Sequence, residues 1–188
     1  MTNATAQVTA LPPSASQEVL DAVSARVGFV PNLFSTLACQ PGAVEAFAAL
    51  DDAFSNSSLT PIERQTVLLA ASVENKGRYC VAGHTLFGRS IGMPESVIQA
   101  IRSGNTVDDE RLEALHRFVR RLIQVRGHAS QAEIAKLLDA GFAREQILDV
   151  IMGVTLKTFS NYADSSLGIK VDEAFEAAAW SSAEEASS

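Results

Sequence analysis

Two residues of this chain have the types and the spacing to do covalent chemistry together: Cys80 and His84. Four residues apart on a helix, they share one face and lie within reach of each other. The break at Lys76-Gly77 places a helix start near Tyr79, so Cys80 falls in the first turn. Unpaired backbone N–H groups and the helix dipole favour an anion there. A protonated imidazole at position 84 would act in the same direction and favour the thiolate, the form of sulfur that attacks electrophiles. The same two residues also have an ordinary reading, as a small apolar core side chain and a hydrogen-bonded core imidazole.

The elements that must position this pair are helical. Alanine and leucine are abundant, aromatics are few, and no period-two alternation marks a strand. Residues 1–14 read as a flexible polar arm with Pro12-Pro13, and residues 181–188 as a disordered Ser-Ala-Glu tail, leaving one domain over 15–180. Helices are expected from about Ser16 to Val27, Leu33 to Cys39 and Pro41 to Phe54. Thr60-Pro61-Ile62-Glu63 is the sharpest local signal. It joins an N-cap Thr, a Pro at the first helical position and a Glu three residues after the cap. The helix it opens runs to about Asn75 and is followed by the one carrying Cys80 and His84. A short helix ends at Gly104, Asp108 caps a long one to about Val125, and Ser130 with Glu133 opens another to Ala140. A long apolar helix then spans about Arg144 to Leu167, with Ile147, Ile151, Val154 and Phe159 in its seam. Asp172 to Trp180 reads as a final turn or two. The fold class is all-α and multi-helical, with short connections between antiparallel neighbours.

Composition narrows the function. The 188 residues are 47% hydrophobic and 20% charged, with a formal net charge of -7. That sign repels phosphate backbones, so no nucleic-acid partner is expected. No apolar run approaches the roughly 20 residues of a membrane span, and the first residues lack the charged and apolar regions of a secretory signal. A cytoplasmic protein is expected. There a stable disulfide between the two cysteines, Cys39 and Cys80, is disfavoured. Cys39 lies in an apolar stretch and reads as packing; it reaches Cys80 only if the fold brings their Cα atoms within about 7 Å. His84, His116 and His128 lack the spacing of zinc ligands, and no glycine-rich phosphate loop is present, so neither metal nor cofactor is expected.

The stretch Thr60-Pro61-Ile62-Glu63-Arg64-Gln65, followed by Ser72 through Thr85 with Gly77, Cys80 and His84, resembles the signature of alkylhydroperoxidase D-like proteins, a superfamily that includes carboxymuconolactone decarboxylases. Gly28 through Phe34 and Lys157 through Asp164 extend the resemblance to roughly Val23–Trp180. It implies an all-helical, homo-oligomeric protein. Its peroxidase members use a Cys-x-x-Cys pair, a His four residues after the second Cys and a Glu in the preceding helix. The second cysteine attacks a peroxide and the first resolves the sulfenic acid as a disulfide. Carried over, the attacking position is Cys80 and the histidine is His84. The first cysteine position holds Gly77 and the glutamate position Gln65.

Glu74, at the end of the same helix as Gln65, is the candidate carboxylate for this face, unless it is simply exposed. Gln65, Tyr79 and Asn161 are candidate substrate-binding residues, Tyr79 also reading as a packed ring with a bonded hydroxyl. Three functions stay open. One is an antioxidant enzyme in which the Cys80 thiolate attacks a hydroperoxide and an external thiol reduces it. Another is a cofactor-free lyase or isomerase that acts on a small carboxylate or lactone through His84. The last is a non-enzymatic oligomeric module with a vestigial site.

Overall fold

The computed structural model describes residues 14–181. The arm and tail expected over 1–14 and 181–188 lie outside them, apart from Ser14 and Ser181. The described residues are helical with no strand, and the all-α expectation holds. No helix among them is long and apolar enough to cross a membrane.

The chain divides into two compact units, Met1–Ala49 and Leu50–Ser188. In the first, α1 (Ser14–Val27) ends at Gly28, α2 (Asn32–Leu37) follows the extended Pro31, and α3 (Pro41–Ser55) begins on a proline and runs into the second unit. Proline suits the first helical position because its missing N–H would have no partner there. Phe34 and Phe47 meet edge to face, with ring centroids 5.4 Å apart.

The second unit is built around α4 (Pro61–Glu74), which packs against α5 (Arg78–Ser90), α6 (Glu95–Arg102), α7 (Glu110–Gln124) and α9 (Gln146–Leu167). Its start is the expected capping box: the Thr60 hydroxyl accepts from the Glu63 N–H at 3.3 Å, and the Glu63 carboxylate accepts from the Thr60 N–H at 2.8 Å. Glu63 is buried and also pairs with Arg111 of α7 at 2.7 Å. Burial opposes its charge, but the Thr60 and Arg111 hydrogen bonds hold its pKa below the ordinary value. The Arg111 guanidinium lies 3.8 Å from the ring centroid of Phe142. One capping box thus tethers three segments.

Ser130 and Glu133 form the second expected capping box, at the start of α8 (Gln131–Asp139). The cap of α7 is Asp109, whose carboxylate accepts from the Leu112 N–H at 2.8 Å, one residue later than the sequence expectation of Asp108. Asp172 to Trp180 forms a short 3-10 helix, Glu173–Ala178. Its Phe175 ring stands edge-on to Tyr79 and Phe87, with centroids 5.8 Å away in both cases.

The long helix α9 corrects the expected seam. Ile151 and Phe159 are exposed, as are Leu148 and Tyr162. The buried face carries Val150, Gly153, Leu156, Lys157, Ser160, Asn161 and Asp164. Close approach explains the choice of face. A Cβ on Gly153 would lie 2.6 Å from Val67 and 2.7 Å from Phe54, so only glycine lets α9 come this near to α4. Backbone contact, rather than maximal apolar burial, sets the rotation of α9 about its axis and turns four polar side chains inward.

Candidate active site

Cys80 and His84 are held by the turn between α4 and α5. Lys76 adopts a left-handed conformation, φ 56°, and the Gly77 N–H donates to the Ser72 carbonyl at 2.9 Å. This closes the end of α4 in the manner of a Schellman motif and sends α5 back along it. α5 starts at Arg78, so Cys80 stands in its first turn, as the sequence requires. The site of α5 facing Gln65 is thereby fixed: Gln65 Oε1 lies 3.0 Å from His84 Nδ1.

The inward face of α9 completes the site. Lys157, Ser160, Asn161 and Asp164 follow the three- and four-residue steps of one helix face. Each meets the beginning of α5. The Asp164 carboxylate accepts the Tyr79 N–H at 3.2 Å, taking one of the open donors of that helix start. Burial raises the Asp164 pKa, against the opposing pull of the Tyr79 N–H and the Arg78 charge. The Asn161 side chain covers Gly77. The Ser160 hydroxyl accepts from the Cys80 thiol at 3.4 Å. The Lys157 Nζ is 4.0 Å from Cys80 Sγ and 2.8 Å from His84 Nε2.

Lys157 changes the electrostatics expected from the sequence. The imidazolium imagined beside Cys80 does not form at neutral pH. Burial first, and the Lys157 cation second, hold the His84 pKa well below its ordinary 6.5. A neutral imidazole has one donor and one acceptor. Gln65 Oε1 accepts only, so the proton belongs on Nδ1, and Nε2 accepts from Lys157. The cation next to sulfur is therefore the lysine, 3% exposed, and the histidine is its acceptor. Cys80 is equally buried, yet its neighbours are a hydroxyl and an ammonium rather than hydrocarbon alone.

The other candidates are placed as follows. Gln65 belongs to the cluster, on the far side of the His84 ring. Glu74 does not: one carboxylate oxygen accepts from Arg120 Nε at 3.1 Å and the other from Gln124 Nε2 at 2.9 Å, both on α7. A carboxylate so tied to two donors faces α7. Tyr79 is a packed ring, and its hydroxyl donates to Asp172 Oδ2 at 2.5 Å. Asn161 accepts from Asn75 Nδ2 at 3.2 Å, and its own Nδ2 is buried without a hydrogen-bond partner. That amide sits where a side chain at position 77 would begin: a Cβ there would lie 2.3 Å from Asn161 Nδ2 and 2.6 Å from its Cγ. The Cys39 thiol is free and donates to the Ser35 carbonyl at 3.7 Å. Among the described residues, no three His, Cys, Asp or Glu side chains converge as a metal site would need.

The residues that sequence reasoning missed are Lys157 and Ser160. The signal was present: a lysine at the heptad-like step of an otherwise small and apolar stripe, followed at three, four and seven residues by Ser160, Asn161 and Asp164.

A model of the carboxymuconolactone decarboxylase family matches residues 41–116, which hold α4, α5 and both Cys80 and His84. The solved structure of an alkylhydroperoxidase AhpD core, an uncharacterized peroxidase-related protein from Ralstonia eutropha JMP134, is 26% identical over 90% of each chain, with a TM-score of 0.79. The chain is thus similar to proteins of the alkylhydroperoxidase D and carboxymuconolactone decarboxylase superfamily. Two less similar structures share the fold of this chain. An uncharacterized peroxidase-related protein from Silicibacter sp. TM1040 is 19% identical, covers 90% of this chain and 91% of its own, and gives a TM-score of 0.75. The debrominase Bmp8, in complex with 2,3,4-tribromopyrrole, is 16% identical, covers 91% and 94%, and gives 0.75. No curated protein sequence matches the chain.

Proposed function

We propose that this protein is a thiol-dependent hydroperoxide reductase with Cys80 as its single attacking residue. The observation that carries this reading is the Lys157 ammonium 4.0 Å from the Cys80 sulfur, at the first turn of α5. A cation and a helix start on one sulfur both support the anion that attacks an O–O bond. Cys80 sulfur bonds to the distal peroxide oxygen, the O–O bond breaks, and the thiol proton ends on the departing alkoxide. The products are a sulfenic acid and an alcohol. Two molecules of an external thiol then return the cysteine, releasing water and a disulfide. The buried sulfur restricts the substrate to a small hydroperoxide.

His84 supports this reading more than a lyase mechanism. Proton abstraction from a carbon acid needs a ring nitrogen open to substrate. Both nitrogens of His84 are engaged, Nδ1 by Gln65 and Nε2 by Lys157.

Peroxide consumption in the presence of an added thiol tests the proposal. The wild-type protein should turn over and Cys80→Ser should not. Equal rates for the two would remove Cys80 from the chemistry and the proposal with it.

A further inference from the structure

The proposed cycle leaves a sulfenic acid at a buried sulfur, and position 77, three residues before it, holds a glycine and no second thiol. The space at Gly77, where a paired cysteine would begin, is filled by Asn161. The groups on the sulfur are instead the Ser160 hydroxyl at 3.4 Å and the Lys157 amine at 4.0 Å. A serine hydroxyl is a poor nucleophile toward sulfenyl sulfur. A lysine amine is a good one once it gives up a proton, and the acceptor is already in place: His84 Nε2, neutral, 2.8 Å from Nζ. Lys157 itself is buried, so its approach to sulfur is not diluted by excursions into solvent.

We propose that Lys157 is the resolving group of this protein, closing oxidised Cys80 as a Cys80–Lys157 sulfenamide. This rests on the hydroperoxide reading above. The step balances without a further oxidant. From a sulfenate and an ammonium, the S–O bond breaks and an S–N bond forms. The oxygen leaves as water with two of the three ammonium protons, and the third stays on nitrogen. Sulfur keeps the oxidation level that the peroxide gave it. His84 takes the first proton from Nζ, freeing the lone pair, and passes it to the departing oxygen. An external thiol later attacks sulfur, breaks the S–N bond and returns the proton to Lys157. A second thiol displaces the resulting mixed disulfide and restores the Cys80 thiol. The closed form has no S–O group for a second peroxide to oxidise to the irreversible sulfinic acid.

The test uses the full-length protein carrying Cys39→Ser, so that loss of two hydrogens cannot mark a disulfide within the chain. The reduced protein is treated with one equivalent of hydrogen peroxide, quenched with N-ethylmaleimide, and analysed by intact mass and peptide mapping. The expected product is lighter by two hydrogens, joins the Cys80 and Lys157 peptides, and reverts with dithiothreitol. Adding Lys157→Met should replace it with a dimedone-reactive sulfenic acid that proceeds to sulfinic acid. Should that variant not fold, the peptide map of the Cys39→Ser protein decides alone. Cys80 carrying added oxygen while its peptide stays unlinked to that of Lys157 would overturn the sulfenamide and leave the peroxidase reading intact. Cys80 recovered wholly as the N-ethylmaleimide adduct would overturn the peroxidase reading, and the sulfenamide with it.

Discussion

Lys157 Nζ lies 2.8 Å from Nε2 of His84, and that one contact reverses the roles expected for the site. The sequence pairs a cationic histidine with a cysteine. The structure adds a lysine that contacts both; with burial it keeps the imidazole neutral, and it is the positive charge that faces sulfur.

The neutral histidine has a consequence for stability. Its folded pKa is depressed, so it binds a proton more readily when unfolded, and the sign follows from linkage. The stabilisation is present above the ordinary histidine value of 6.5 and is lost as pH falls from there through the depressed folded value. The steepest loss is about 1.4 kcal/mol per pH unit for one proton. His116, also buried with a lowered pKa, adds a loss of the same sign. Urea midpoints measured at pH 7.5 and 5.5 should therefore fall on acidification, and His84→Gln should lessen the fall. An unchanged dependence in that variant would mean that His84 takes up its proton over the same pH range folded as unfolded.

Gly77 and Asn161 should behave as a coupled pair. Installing the missing thiol as Gly77→Cys forces the buried Asn161 amide aside and should cost about 1–3 kcal/mol by overpacking. Trimming the amide with Asn161→Ala in the same chain should recover part of that loss. A double-mutant cycle in denaturant should give a coupling of roughly 1 kcal/mol or more. Additive effects would show that the two side chains do not compete for one space.

Gly153→Ala should be destabilising by a similar margin, about 1–3 kcal/mol, because the new methyl meets Val67 and Phe54. The extra cost matters for the site as well. Pushing α9 away from α4 moves Lys157 and Ser160, so the variant should also lower Cys80 reactivity toward iodoacetamide. A stable variant with full reactivity would show that α9 tolerates a wider spacing.

Glu74 should be dispensable for the chemistry. Its carboxylate serves Arg120 and Gln124. Glu74→Gln should leave the iodoacetamide rate at Cys80 within about twofold and cost at most roughly 1 kcal/mol, the range of a partly exposed ion pair. A rate loss approaching that of a Lys157 variant would return Glu74 to the site.

Much of this arrangement was legible in the chain. Thr60, Pro61 and Glu63 announce α4 because capping chemistry is local. Cys80 and His84 share a face because helical spacing is local too. The seam of α9 was not legible, since it depends on which glycine lets two backbones approach, and Gly153 reveals that only against Val67 and Phe54. The tautomer of His84 was hidden for the same reason: it is set by a lysine 73 residues away in sequence. Asp109 in place of Asp108 as the α7 cap is the smaller kind of miss, where two adjacent residues of one type offer the same side chain.

The central claim is that the Lys157 charge serves the Cys80 sulfur. The rate at which iodoacetamide alkylates Cys80 at pH 7, followed by mass spectrometry in wild type and Lys157→Met, tests it most directly. The predicted result is a fall of about tenfold or more, the equivalent of roughly 1.4 kcal/mol for a charge at this distance from a buried anion. Equal rates in two folded proteins would contradict it.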